Sequence, residues 1–218
     1  MGVPIEGAGT STIRIQGRAT RRGAVHRLRG DYIEAGSWAV VAAITGGTAE
    51  VRGVHAVDME PIISVLQRMK LNVTLESDGF QVHESRVEAI SRLTTGLWPG
   101  FPSDMVSLVT VLATQAEGET LIHDWMYELR LFALEQLSGM RADLFLCDPH
   151  RIVVSGPNKL RGRALDSRDL RSGMALIAAA LAAQGKSTLG PLETVERGYT
   201  DVVERLKSLG AAVEVAPS

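Results

Sequence analysis

Asp104-Met-Val-Ser-Leu-Val-Thr-Val-Leu-Ala-Thr-Gln-Ala-Glu-Gly118 decides the fold, because an aspartate opens a helix of almost uniformly apolar residues and a glycine closes it. The same design recurs at 31–46 and at 169–185. Aspartate is a favoured N-cap, and glycine adopts the left-handed conformation that ends many helices. The closing glycines lie 72 and 67 residues apart (118 − 46 and 185 − 118). This spacing predicts three copies of one structural unit.

A second, amphipathic helix is predicted in each unit, followed by a strand. The helices are expected over Asp58 to Met69, Tyr127 to Met140 and Arg197 to Leu209, and the strands over 73–75, 144–146 and 213–215. Thr48, Thr120 and Thr188 mark a strand between the two helices of each unit, and hairpins lead into Phe80–Val82 and Ile152–Val154, with Ile13–Ile15 in the same phase. Each unit therefore reads β-α-β-α-β-β.

A helix that is apolar on every side must be buried, whereas an amphipathic helix keeps one face in water. We therefore expect an α/β (α+β) fold in which the three apolar helices cluster around a pseudo-threefold axis, with the sheets outside. The chain is expected to be a single domain over 1–218, with units of about 1–69, 70–140 and 141–218. The match of Met1–Glu6 to Leu209–Glu214 predicts one three-unit half of a longer, repetitive enzyme.

Bulk composition narrows the class of protein. The chain has 218 residues, a formal net charge of −2 and a single cysteine, Cys147. This charge gives no basic field for nucleic acid, and one cysteine cannot form an intramolecular disulfide. We see no apolar run long enough for a membrane span and no metal or cofactor motif, so we predict a cytoplasmic protein without a cofactor.

The turn Trp98-Pro-Gly-Phe-Pro-Ser-Asp-Met105 stands directly before the central apolar helix. Its prolines fix the backbone and disfavour helix before them. Asp104 is thereby placed on or beside the N-cap. A carboxylate held beside aromatic walls is suited to accept a proton from a bound hydroxyl, although a simple capping role explains its position equally well.

With this repeat and turn, the chain resembles the enolpyruvyl transferases, in the branch that acts on UDP-N-acetylglucosamine in bacterial cell-wall synthesis. The motifs that carry the resemblance are Asp31-Tyr-Ile-Glu-Ala-Gly36, Pro99-Gly-Phe-Pro-Ser-Asp104-Met, Met126-Tyr-Glu-Leu-Arg130, Asp169-Leu-Arg171 and Glu196-Arg-Gly-Tyr199. The resemblance implies a domain built as an inside-out α/β barrel of three units, matching the C-terminal half of the family. The implied substrates are phosphoenolpyruvate and UDP-N-acetylglucosamine, bound in a cleft between two domains.

The same resemblance assigns roles to residues. Asp104 corresponds to the carboxylate that contacts the sugar 3-hydroxyl and transfers a proton. Arg171 and Arg197 correspond to arginines that bind phosphoenolpyruvate, and Asp169 to a carboxylate near the reacting centre. The expected substrate-binding positions are Met126, Arg130 and Asp31. Tyr32 and Ser37 depart from the arginine and threonine that are common in the family's first motif.

Two features of the family have no counterpart in this sequence: the Lys-Asn pair and the cysteine-bearing loop of the other domain. We therefore expect a chain that needs an N-terminal domain or a partner half and is inactive alone. One alternative is an enzyme like 5-enolpyruvylshikimate-3-phosphate synthase. Another is a non-catalytic scaffold that pairs with a separate half or with itself.

Overall fold

The computed structural model describes residues 1–17, 22–128 and 134–215. Its strands are β1 (Ile5–Glu6), β2 (Arg14–Ile15), β3 (Ala49–Arg52), β4 (Asn72–Glu76), β5 (Gly79–His83), β6 (Arg92–Thr94), β7 (Gly118–His123), β8 (Asp143–Asp148), β9 (Arg151–Gly156), β10 (Ala164–Asp166) and β11 (Thr188–Gly190). Its helices are α1 (Tyr32–Ile44), α2 (Ala56–Arg68), α3 (Val106–Ala113), α4 (Glu135–Gly139), α5 (Leu170–Ala182), α6 (Glu193–Glu196) and α7 (Val202–Ser208).

The three apolar helices α1, α3 and α5 pack against one another in every pairwise combination. Every residue of α3 is buried, as are the central residues of α1 and α5. Burial of apolar surface stabilises such a cluster by roughly 25 cal/mol per Å². The predicted helical centre is thus confirmed.

Two of these helices begin at the predicted N-cap aspartate. Asp31 caps α1 by accepting hydrogen bonds from the backbone N–H groups of Ile33 and Glu34, and Asp169 caps α5. At the third helix the aspartate lies beside the N-cap and is not itself the cap. Pro102 starts a 3₁₀ turn over Ser103–Met105, so Asp104 lies within that turn and the N-cap of α3 is Met105.

The closing glycines follow the same pattern only in part. Gly46 comes directly after the C-cap Thr45 and has a φ of 67°, as a left-handed helix end requires. Gly118 and Gly185 also have positive φ, but α3 and α5 end earlier, at Ala113 and Ala182. These two glycines therefore shape the connections to β7 and β11 rather than the helix ends.

The middle unit contains the complete predicted order of elements, β6-α3-β7-α4-β8-β9. Its sheet has the order β6-β7-β9-β8, with β6 parallel to β7 and the other neighbours antiparallel. The other units have the smaller sheets β3-β5-β4 and β10-β11. Over the part of the chain that the structure describes, these sheets are separate and do not close on one another.

Two departures from the repeat explain the open sheets. Leu28 precedes α1 as Leu93 and Leu165 precede α3 and α5, but it is 84% exposed, whereas they are 2% and 6% exposed within β6 and β10. Among the described residues 22–31, none forms a strand before α1. In the third unit, residues 213–215, predicted as a strand, have no regular structure.

The hairpins preserve the predicted phase. Val73 lies opposite Val82 in β4–β5, and Leu144 lies opposite Val154 in β8–β9. Ile5 and Ile15 take the equivalent positions in β1–β2, where both side chains are exposed. The β4–β5 and β8–β9 hairpins pack on the core through Phe80, Val82 and Ile152, whereas β1–β2 forms a separate two-stranded sheet.

Two of the predicted amphipathic helices differ from expectation. The predicted helix over 197–209 is interrupted: α6 ends at Glu196, Asp201 adopts a left-handed backbone with φ of 52°, and α7 begins at Val202. Gly198, a poor helix former, lies in this break. In the middle unit the described helix covers Glu135–Gly139, and 129–133 of the prediction lie outside the described residues.

None of the helices within the described ranges combines the length and the apolar composition needed to cross a bilayer.

Replacing a core leucine should cost far more than replacing the exposed one. Leu108 in α3 is 0% exposed, so Leu108→Ala should lower the free energy of unfolding by about 2–5 kcal/mol through lost burial and a cavity. Leu28→Ala removes the same atoms from a side chain in water and should cost less than about 0.5 kcal/mol. Urea denaturation measures both values. Equal losses would show that Leu28 is buried in solution or that α3 is not the core.

Candidate active site

The first turns of the three apolar helices meet at one end of the molecule. The Asp31 carboxylate caps α1 at 2.8 Å from the Ile33 nitrogen, and the Asp169 carboxylate caps α5 at 3.0 Å from the Ser172 nitrogen. Helix N-termini carry partial positive charge and unpaired N–H groups, so they favour anions. At α1 and α5 this anion is the protein's own capping carboxylate, that of Asp31 or Asp169.

An ion pair joins two of the helices at this end. Nη2 of Arg171 lies 3.2 Å from Oδ2 of Asp104, although the two residues are 67 positions apart (171 − 104). The Arg171 side chain is 17% exposed and that of Asp104 is 35% exposed. The predicted acid–base residue and one predicted phosphoenolpyruvate ligand are thus brought together at a partly open rim.

Tyr199 holds the other side of the guanidinium. Nη1 of Arg171 donates to the Tyr199 hydroxyl at 3.3 Å, and the guanidinium carbon lies 5.9 Å from the centre of the tyrosine ring. Tyr199 is fully buried, and its hydroxyl is 2.8 Å from Oγ of Ser37 in α1. Residues from three units therefore contact one another in this cluster.

Titratable groups in the cluster affect one another. Burial raises the pKa of the Tyr32 hydroxyl, and the carboxylates of Asp104 and Asp31 raise it further, while Arg171 opposes them. Burial also raises the pKa of the Tyr199 hydroxyl, against the hydrogen bond that it accepts from Arg171. Both phenols therefore stay protonated through neutral pH.

Arg171 stays charged despite its surroundings. Burial acts to lower the pKa of its guanidinium, but the hydrogen bond to Tyr199 and the charges of Asp104 and Asp31 outweigh burial and raise it. A guanidinium presents several donors in a planar fork that matches carboxylates and phosphates. Arg171 can therefore bind such a group while it remains paired with Asp104.

Comparison with known proteins assigns the chain to a family. Residues 1–206 match the model of EPSP synthase (3-phosphoshikimate 1-carboxyvinyltransferase). The chain belongs to this family. Over 99% of its length it is 39% identical to the UDP-N-acetylglucosamine 1-carboxyvinyltransferase of Treponema denticola, and over its whole length it is 37% identical to that of Borreliella burgdorferi.

Solved structures agree with this assignment. The enolpyruvyl transferase NikO from Streptomyces tendae superposes with a TM-score of 0.85 at 28% identity and covers 99% of the chain. EPSP synthase from Acinetobacter baumannii, at 22% identity and a TM-score of 0.81, has the same fold. The chain spans 52% and 53% of the two curated relatives and 52% of the NikO chain. It thus corresponds to about half of each enolpyruvyl transferase.

The aromatic turn predicted from the sequence borders the cluster. Trp98 is 57% exposed, and its ring meets that of Tyr32 edge-on, with centres 5.9 Å apart. Phe101 is buried, and its carbonyl accepts a hydrogen bond from the Gly96 N–H at 2.9 Å. A side chain at Gly100 would lie 2.8 Å from the Gly96 Cα, so glycine is required for this close approach.

Sequence reasoning missed Asp124, which positions this turn. Its buried carboxylate accepts hydrogen bonds from the hydroxyls of Thr95 at 3.0 Å and Ser103 at 2.6 Å, and from the Met126 N–H at 3.1 Å. Asp124 directly follows β7, and a carboxylate at the end of a buried strand is the signal that could have identified it. It connects the turn before Asp104 to the loop that carries Met126.

The remaining predicted site residues lie outside the cluster. Met126 is 36% exposed beside Asp124. Arg197 is exposed at the C-cap of α6, two residues before Tyr199, and among the described residues it does not take part in the Asp104–Arg171–Tyr199 hydrogen-bonded set. Arg130 lies outside the described residues. Within the described ranges no three His, Cys, Asp or Glu side chains are grouped to hold a metal ion.

Asp124→Asn should destabilise the protein by about 1–3 kcal/mol, because an amide places an N–H₂ group where a buried carboxylate now accepts hydrogen bonds. Asp143→Asn, in an exposed position at the start of β8, is the matched control and should stay within about 0.5 kcal/mol of the unchanged chain. Guanidinium chloride unfolding measures both. Equal stability of the two variants would contradict the role given to Asp124.

Proposed function

We propose that this chain forms one domain of an enzyme that transfers the enolpyruvyl group of phosphoenolpyruvate to the 3-hydroxyl of UDP-N-acetylglucosamine and releases phosphate. The observation that carries the proposal is the contact between Asp104 and Arg171 beside the N-termini of the apolar helices. Relatives named for this reaction, at 36–39% identity, support the choice of substrates.

The reaction needs a group that transfers protons and a group that binds anions, and the cluster contains a candidate for each. In the first step the sugar oxygen bonds to the central vinyl carbon of phosphoenolpyruvate while the methylene carbon gains a proton, which gives a tetrahedral ketal. In the second step the ketal loses phosphate and a methyl proton, which regenerates the double bond. We assign proton transfer at the sugar hydroxyl to Asp104, because a carboxylate within hydrogen-bond reach of a hydroxyl can accept its proton.

We assign anion binding to the arginines. Arg171 is proposed to hold the carboxylate of phosphoenolpyruvate, and Arg197 to engage the same substrate once the cleft closes. Asp169 is proposed to act near the reacting centre, while its Oδ1 caps α5. Asp31, Met126 and Arg130 are proposed to line the side of the nucleotide sugar.

The second wall of the cleft is proposed to come from an N-terminal domain or a partner half, since the chain spans about half of its relatives. The inside-out barrel is proposed for the assembled enzyme, in which the open sheets of the first and third units gain further strands. A role in peptidoglycan synthesis and a cytoplasmic location are part of this proposal. Without the second wall, the chain alone should not release phosphate.

The match to the EPSP synthase model favours a second candidate, an enzyme that acts on shikimate 3-phosphate. The two candidates share the chemistry and differ in the acceptor hydroxyl. Comparing phosphate release with each acceptor distinguishes them. A scaffold without activity would release phosphate with neither.

A chimera tests the assignment of Asp104. In the Treponema denticola relative, the segment that matches this chain is replaced by the chain, and phosphate release from phosphoenolpyruvate and UDP-N-acetylglucosamine is measured. Asp104→Asn should lower the rate by about 10²–10⁴-fold, the usual effect of losing a general acid or base. Asp78→Asn, in the β4–β5 turn, is the control and should retain the rate. Full activity of the Asp104→Asn chimera would refute the assignment.

A further inference from the structure

The direction of each hydrogen bond around Tyr199 follows from the number of protons available. Oγ of Ser37 lies 2.7 Å from the carbonyl oxygen of Ile33, one turn earlier in α1, and a serine hydroxyl has a single proton to donate. That carbonyl is a stronger acceptor than the other two neighbours, which are the Met105 sulfur at 4.0 Å and the Tyr199 hydroxyl oxygen, an oxygen that already accepts from Arg171. The Ser37 oxygen is therefore the acceptor toward Tyr199.

The Tyr199 hydroxyl must then donate to Ser37, at 2.8 Å. This leaves the lone pairs of its oxygen available to Nη1 of Arg171, which can only donate. The bonds run in one direction, from the Arg171 guanidinium through Tyr199 and Ser37 to the backbone of α1. Ser37 and Tyr199 are both fully buried, so water cannot replace either partner without rearrangement.

We propose that Tyr199 and Ser37 are positioning residues that set the orientation of the Arg171 guanidinium: Tyr199, which follows α6, contacts the guanidinium, and Ser37 anchors Tyr199 to α1. Neither side chain needs to touch a substrate. With Nη1 held by Tyr199 and Nη2 beside Asp104, the remaining N–H groups of the fork are presented in one orientation. That this orientation serves an anionic substrate rests on the proposed function.

The reactivity of Arg171 with phenylglyoxal, followed by mass spectrometry of the peptides, measures this orientation without any substrate. Phenylglyoxal attacks guanidinium groups, so a group that is held and mostly buried reacts slowly. Tyr199→Phe keeps the ring and removes the hydroxyl, and it should raise the rate at Arg171 by about twofold to tenfold, the effect of one lost hydrogen bond. Ser37→Ala should act in the same direction, because it leaves the buried Tyr199 proton without its acceptor.

Ser37→Thr is the matched variant, since it retains the hydroxyl, and it should restore the slow rate. Arg205 is the internal reference: it packs over the Trp38 ring of α1 at 5.0 Å and pairs with Glu34. General loosening of α1 would raise the rate at Arg205 as well, whereas loss of positioning raises it at Arg171 alone.

The outcomes separate this inference from the proposed function. Equal Arg171 rates in the Ser37→Ala and Ser37→Thr variants would overturn the positioning role, even if Tyr199→Phe failed to fold. A parallel rise at Arg205 would overturn it as well. A separate measurement asks whether phosphoenolpyruvate slows the reaction of Arg171 with phenylglyoxal in the unchanged chain. If protection is absent but the rates still differ between variants, the positioning role stands and the proposed substrate does not.

Discussion

The mutual burial of α1, α3 and α5 is the constraint on which the rest of the structure depends. None of the three helices has a polar face wide enough to be left in water, so each must be covered by the other two helices and by the sheets outside. Contacts near their N-termini, such as Asp104 with Arg171 and Ser37 of α1 with Tyr199 after α6, follow from this packing. Residues far apart in sequence thereby reach one rim.

The same packing sets the charges at the rim. The positive dipole ends of α1 and α5 face their own capping carboxylates, and Arg171 adds a full positive charge that can bind an anion. The carboxylates of Asp31 and Asp169 cap α1 and α5. Asp104 lies within the 3₁₀ turn, and its carboxylate does not cap α3. The irregular start of α3 is thus the feature that distinguishes Asp104 from its two counterparts.

Much of this arrangement could be predicted from the sequence, because periodicity and capping are local. The three apolar helices, the caps Asp31 and Asp169 and the phase of the hairpins were all predicted. The first turn of α3 was not, because Pro102 begins a 3₁₀ turn that no spacing rule reveals. The break in the predicted helix before Asp201 was not foreseen either, although Gly198 is a poor helix former.

The site was harder to predict than the fold. The pairing of Asp104 with Arg171 was expected from the family resemblance, since nothing local connects two residues in different units. Asp124, Ser37 and Tyr199 were not assigned roles, because buried polar side chains resemble ordinary strand and helix residues until their partners are known. The open sheets could not be foreseen either, since each unit by itself has the composition of a complete one.

A double-mutant cycle on Asp104 and Arg171 tests the central claim most directly, since it asks whether α3 and α5 bring these two side chains into contact in solution. Asp104→Asn, Arg171→Met and the combination are compared by their free energies of unfolding. The structure predicts a favourable coupling of at least about 0.5 kcal/mol, as for other contacting residues. Strict additivity of the two substitutions would contradict the shared rim.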